Sequence, residues 1–191
     1  MENIKIAKTQ YPVMDAIKDR WSPRSFSEKA LTENDTNTII EAASWAFSSN
    51  NSQPWNYIVG LKGDATFQKL VDCLMPGNSP WAKNAAALIL SIAINKSADG
   101  KANPVALHDV GAANTLLTLQ ANSMDVYTHL MGGFDRAKAT EVFAISPDHS
   151  PVVIIALGYL DSPEKLISPY KERELTPRTR KPLSEIILKA V

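Results

Sequence analysis

Three short stretches of this 191-residue chain hold residues whose types and spacing could do chemistry. In Arg20-Trp21-Ser22-Pro23-Arg24-Ser25-Phe26, two arginines flank a serine hydroxyl where a helix is expected to end. Guanidinium forks and a hydroxyl suit a phosphate, whose oxygens accept several charge-assisted hydrogen bonds. In Ser48-Ser49-Asn50-Asn51-Ser52-Gln53-Pro54-Trp55, a polar run ends on a Pro-Trp anchor. Its amides and hydroxyls could bind the hydroxyls of a polyol chain. In Leu130-Met131-Gly132-Gly133-Phe134-Asp135, paired glycines let backbone approach a flat ligand and offer N–H groups to a ring nitrogen. Taken singly, each has an ordinary alternative: a helix-terminal arginine before a turn, a solvated connection, and a strand-to-helix turn.

Other chemistry is harder to place. There is no Walker loop, no GxGxxG, no GxSxG and no HExxH in the sequence. His108, His129 and His149 are too scattered to suggest a metal site, and a structural or surface role is favoured for each. The single cysteine, Cys73, excludes an internal disulfide framework and any multi-cysteine metal centre. It lies on an amphipathic stretch without an activating neighbour, which reads as a buried, inert thiol. Twenty basic residues balance twenty acidic ones, so no overall field draws the chain to nucleic acid or acidic lipid. Hydrophobic residues make up 45% and charged residues 21%, as in an ordinary globular domain. The start, Met1-Glu2-Asn3-Ile4-Lys5, lacks the apolar core of a signal peptide, and no apolar run approaches the ~20 residues needed to span a bilayer. A cytoplasmic location is expected.

The elements that must position the three stretches are legible from periodicity. Residues 11–21 read as a short helix ended by the Ser22-Pro23 step. Thr32 and Asp35 form a capping-box start for an amphipathic helix over 33–47. The polar run 48–53 is a loop, because Asn and Ser compete with a helix for backbone hydrogen bonds. Strands are expected at 55–61, 85–95, 126–130 and 151–160, and helices at 64–74 and 135–143, the latter capped by Asp135. Residues 104–124 predict a helix apolar almost all round, therefore covered by the sheet or by another subunit. Residues 161–191, basic and proline-spaced, read as an arm over the body, possible also over a partner.

Taken together, in this order and spacing, the three stretches resemble the nitroreductase family of flavin enzymes. Arg20-x-Ser22-x-Arg24-x-Phe26 looks like its N-terminal phosphate motif, and Ser48-Ser49-x-Asn51-Ser52-Gln53-Pro54-Trp55 like its most recognisable loop. Gly132-Gly133-Phe134-Asp135, with the following helix and strand, is similar to its late core. Arg178-Thr179-Arg180-Lys181-Pro182-Leu183 resembles its basic closing stretch. The likeness runs from about Tyr11 to Leu183.

The resemblance implies an α+β fold, a mainly antiparallel sheet flanked by helices, as one domain over 1–191 with 161–191 as a C-terminal extension swapped in a homodimer. It implies FMN at the subunit interface and NAD(P)H as co-substrate. Arg20, Ser22 and one of Arg178 and Arg180 would hold the phosphate, and Arg24 would reach the ribityl chain or pyrimidine edge. Ser48, Ser49, Asn51 and Gln53 belong to the loop contributed by the other subunit. Leu130, Met131, Gly132 and Gly133 would line the flavin. Trp21 stands where many members have Arg or His, which alters how the phosphate pocket is screened. The implied activity is ping-pong transfer of hydride from NAD(P)H, through flavin N5, to a nitroaromatic, quinone or similar acceptor, with no protein acid or base nominated as catalytic. The alternatives are a specialised member of the same fold (dehalogenase, enone reductase or flavin-fragmenting enzyme) and a non-catalytic FMN-binding protein.

Overall fold

The computed structural model describes residues 4–96 and 99–188. Met1 to Asn3 and the end of the arm from residue 189, both weighed above, lie outside the described residues. The chain runs α1 (Asp15–Asp19), α2 (Glu33–Ser44), β1 (Trp55–Leu61), α3 (Ala65–Asp72), α4 (Ser79–Ala82), β2 (Ala87–Ile94) and α5 (Ala106–Ser123). It continues β3 (Tyr127–Met131), α6 (Arg136–Val142), β4 (His149–Gly158), α7 (Tyr170–Leu175) and α8 (Leu183–Ile186). Single 3-10 turns interrupt it at Ser49–Asn51 and Pro163–Lys165.

The four strands form one sheet in the order β1-β2-β4-β3, antiparallel throughout. Trp55 pairs with Ala93, Ala87 with Leu157, and Tyr127 with Gly158, so β1 and β3 are the two edges. Alternation divides the central strands between two cores. Ile89 and Ile155 face α2 and α5, joining Ile39, Ala43, Val110, Ala113 and Leu117. Leu88, Leu90 and Ile154 face the other side, with Phe67, Leu70, Trp81 and Phe134. Burial of each such side chain contributes about 1.5–3 kcal/mol, which makes β2 and β4 the keel of the fold.

The capping box is present: Asp35 N–H donates to Thr32 Oγ1 at 3.1 Å, and Thr32 N–H donates back to Asp35 Oδ2 at 2.8 Å. Asp64 and Asp135 cap α3 and α6. The first helix is shorter than the sequence suggests. Arg20 is already extended (φ −65°, ψ 124°), so the chain leaves the helix before the Ser22-Pro23 step. The strand expected at 151–160 lies two residues earlier, at His149–Gly158.

The long α5 is buried along Val110, Ala113, Leu117 and Ala121. Its buried polar groups are paired: Tyr57 Oη donates to Asn114 Oδ1 at 3.1 Å, and Thr128 Oγ1 to Thr118 Oγ1 at 3.2 Å. Its outer side is not covered by this chain, since Leu107 is 62% exposed. After β4 the arm lies first on its own body. Phe26 bridges to Leu160, Ser25 Oγ donates to Ser162 O at 2.7 Å, and Tyr170 enters the second core. Residues 180–183 still line a cavity with residues of the 7–13 segment, but α8 has no buried residue, and Ile186 and Ile187 are exposed.

Candidate functional site

Early termination of α1 has a direct consequence for the first stretch. Arg20, Ser22 and Arg24 are spaced by two, the period of an extended chain, and all three line one cavity of about 190 Å³. Trp21 lines it as well, and so do Lys5, Arg173, Arg178 and Arg180. Six basic side chains therefore surround one small space. Arg20 Nη1 donates to Ser22 Oγ at 3.4 Å, a long contact that leaves most of the guanidinium fork open. Arg178 Nη1 is braced by the Lys5 and Lys18 carbonyls at 2.9 and 2.7 Å.

The electrostatics favour an anion in this cavity. Burial pulls the Arg20 guanidinium below its ordinary pKa, and the Arg178 and Arg180 charges add to this. Burial and Arg180 do the same to Arg178. Burial likewise lowers Lys5, partly opposed by Glu174. Arginine stays charged regardless, so the strain is expressed as repulsion that a phosphate-like group would relieve. The acid facing this cluster is Glu174 of α7, which accepts from the Arg24 backbone N–H at 2.9 Å.

His129 joins this pocket to the glycine stretch. Its Nδ1–H donates to the Pro23 carbonyl at 2.8 Å, and its ring packs on Trp81 with centroids 4.5 Å apart. Burial, with the Arg24 and Arg20 charges, pushes its pKa down to about 4, so the ring is neutral at pH 7. Leu130 follows immediately and is partly exposed, whereas Met131 is buried and can offer a ligand only its backbone. At Gly133 a Cβ would lie 2.8 Å from Asn78 Nδ2, whose amide donates to the Gly133 carbonyl. Gly132 faces open space: a Cβ there would meet nothing within 4 Å.

The polar loop stands elsewhere. It precedes β1, at the sheet edge opposite β3, and lines a separate cavity of about 600 Å³ with residues of the 94–103 segment. Its backbone is unusual, because Asn50, Asn51 and Gln53 all have positive φ (52°, 53° and 46°). Asn tolerates this region, but Gln does so at a cost of order 1 kcal/mol or more. Local bonds hold the shape. Ser49 N–H donates to the buried Asp109 carboxylate at 3.0 Å, and Gln53 N–H to Ser48 Oγ at 3.1 Å. Within one chain, then, Arg20, Trp21, Ser22, Arg24, Arg178 and Arg180 line one cavity, Leu130 to Gly133 follow His129, which bonds to Pro23, and Ser49 and Asn51 line a different cavity, with Ser48 and Gln53 in the same loop.

The model of the nitroreductase family matches residues 17–75 and 61–159. The chain belongs to that family. A crystal structure described as an oxidoreductase containing FMN superposes with a TM-score of 0.93 at 32% identity, covering 100% of this chain and 98% of the other. A nitroreductase family protein from Streptococcus pneumoniae gives 0.72 at 23% identity, over 92% and 98% of the two chains, a likeness of fold. The uncharacterized 15.4 kDa protein in the ask 5′ region of Mycolicibacterium smegmatis is 33% identical over 138 residues, 68% of this chain and 92% of its own.

Several residues in or around the pocket carry no sequence signal of their own. Lys5, Arg173 and Glu174 arrive by contacts across most of the chain, and His129 and Trp81 by packing. Asp109, which tethers Ser49, is concealed in an apolar helix. The basic closing stretch was the one usable pointer to the arm's part in the pocket. Cys73 is buried at the end of α3, and burial raises its thiol pKa, as expected of an inert cysteine. No helix among the described residues is long and apolar enough to cross a membrane.

Proposed function

We propose that this chain is an FMN-dependent oxidoreductase, working as a homodimer, that uses NAD(P)H to reduce a nitroaromatic, quinone or similar acceptor. The observation that carries the reading is the pocket of six basic side chains around about 190 Å³, with Arg20's fork largely open. The 32%-identical oxidoreductase containing FMN supports the same cofactor here. The chain's residues fit that group: cations for a phosphate, open space at Gly132, and a sequence without the GxGxxG fingerprint of a dinucleotide site.

Arg20 and Ser22 would bind the phosphate, with Arg178 and Arg180 completing its charge balance. Arg24, held by Glu174 and lying 5.8 Å over the Trp81 ring, would present its cation toward the ribityl chain or pyrimidine edge. When bound, FMN would supply the two-electron carrier, alternately taking hydride from NAD(P)H and giving it to the acceptor in a ping-pong cycle. His129 is neutral and engaged with Pro23, so it orients the 20–24 segment and is no proton donor. The protein's work is placement, electrostatics and exclusion of water.

A dimer would complete the site. Trp45 is 80% exposed and Phe47 69%, and Trp45, Leu116 and Leu119 line a groove of about 480 Å³ beside α5. Exposed apolar surface of this extent suits an obligate interface of more than roughly 2,000 Å². The strained polar loop would then reach the partner's phosphate pocket and glycine stretch. Heat release of the chromophore and chromatography against standards should identify FMN, and NADH or NADPH should bleach the holoprotein anaerobically. FAD, or no flavin after attempted reconstitution, would overturn the proposal.

A further inference from the structure

We propose that Glu174 is a positioning residue for the phosphate pocket, locking the C-terminal arm onto the 20–24 segment so that Arg173, Arg178 and Arg180 reach the anion. The inference rests on the FMN reading above and adds to it a residue that touches no ligand. Glu174 is 5% exposed, although its neighbours Arg173 and Leu175 face solvent. Its Oε1 accepts from the Arg24 backbone N–H at 2.9 Å and lies 3.6 Å from the Arg24 guanidinium. On either side of it the arm is tied to Lys5, whose ammonium donates to the Arg173 and Thr176 carbonyls at 2.9 and 2.6 Å. Arg178 then returns the tie by donating to the Lys5 and Lys18 carbonyls. The arm is thus fastened at the point where it delivers half of the pocket's cations.

Charge explains why a carboxylate is needed there. Arg178 and Arg180 of the arm repel Arg20, Arg173 repels Arg24, and the arm must nevertheless lie against the 20–24 segment. Glu174 supplies the opposing charge at the seam, and it also satisfies a backbone donor that would otherwise be buried unpaired. Burial raises its pKa, while the Arg24 N–H, Arg24 and Lys5 favour the ionised form. Against this stands a simple Coulomb objection. A negative charge beside a phosphate site weakens phosphate binding if it does nothing else.

The two roles predict opposite signs, which makes the test sharp. Apo-protein is titrated with FMN and with riboflavin, which differ only in the phosphate, for the wild type, Glu174→Gln and Glu174→Ala. A positioning role predicts that the preference for FMN over riboflavin falls about tenfold or more in Glu174→Ala, and less in Glu174→Gln, with riboflavin weakened only by the smaller factor that loosening Arg24 entails. General structural damage would weaken both ligands alike and would refute the role. A preference that rises or stays the same leaves Glu174 as a neighbouring charge only and overturns the inference. A wild type that binds both flavins equally overturns the phosphate reading itself, and this inference with it. If Glu174→Ala does not fold, Glu174→Gln, which keeps shape and an acceptor, decides the question.

Discussion

Replacing Arg20 by alanine separates ligand binding from folding more cleanly than any other change in the pocket. Its hydrogen bond among the described residues is the 3.4 Å contact to Ser22 Oγ, worth little to stability. Removing it also relieves repulsion with Arg178 and Arg180. Folding should therefore be unchanged to within about 0.5 kcal/mol, the scale of a substitution that breaks nothing essential. A lost hydrogen bond to a charged group costs about 1.5–3 kcal/mol, so the FMN dissociation constant should rise roughly ten- to hundredfold. Arg178→Ala is the contrast. Its guanidinium braces two carbonyls at 2.9 and 2.7 Å, and its loss should lower stability by about 1–3 kcal/mol as well as weaken FMN. The assays are fluorescence titration of apo-protein and urea unfolding without flavin. Unchanged FMN affinity in Arg20→Ala, or an equal loss of stability in both variants, would refute the assignment of Arg20 to the ligand.

Mixing a Ser49→Ala/Asn51→Ala subunit with an Arg20→Ala subunit, denaturing and refolding them together, should restore activity at about a quarter of the sites, since each heterodimer collects both defects in one site. A mixture no more active than its parents would exclude shared sites. His129 is held at about 4 from an ordinary 6.5, chiefly by burial, so the unfolded chain binds its proton more readily than the folded one. Its contribution is full above about pH 6.5 and is lost as pH falls toward 4, at most about 3 kcal/mol in all. His129→Asn, which keeps a donor for Pro23, should flatten that part of the stability profile between pH 7 and 4.5, and an unaltered profile would count against it. Gly60→Ala would place a Cβ 2.6 Å from the Phe67 Cα and closer still to its nitrogen, so α3 must shift. A loss of about 1–3 kcal/mol is expected in urea unfolding, and an unchanged midpoint would refute the packing argument.

What could be read from the sequence was local. The Thr32–Asp35 capping box, the Asp135 cap and the strand at Trp55–Leu61 stand where periodicity and side-chain chemistry put them. The helix before Arg20 was overread because its apolar spacing continues to Trp21, while the backbone has already turned extended at Arg20. The loop at 48–53 was legible as a loop, but not its run of left-handed residues, because a glutamine gives no warning of positive φ. The basic residues of the arm were countable; their meeting with Arg20 was suggested by family resemblance rather than by pattern. Glu174 and Lys5 were illegible, since their partners lie about 150 or more residues away and only folding brings them there.

The basic pocket and the polar loop stand at opposite edges of one four-stranded sheet, and that separation reaches beyond geometry. A ligand held by both halves, as proposed, would bridge two copies, and its affinity would then follow the amount of protein present rather than being a constant of the polypeptide. Mass action then runs in both directions: dilution loosens the ligand, and the ligand gathers the subunits. Under that proposal, a shortage of the ligand would favour separated chains with Trp45, Phe47 and Leu107 bare to solvent. The proposed linkage would then tie the protein's lifetime to ligand supply, because chains with uncovered apolar surface are the ones that proteases and chaperones remove.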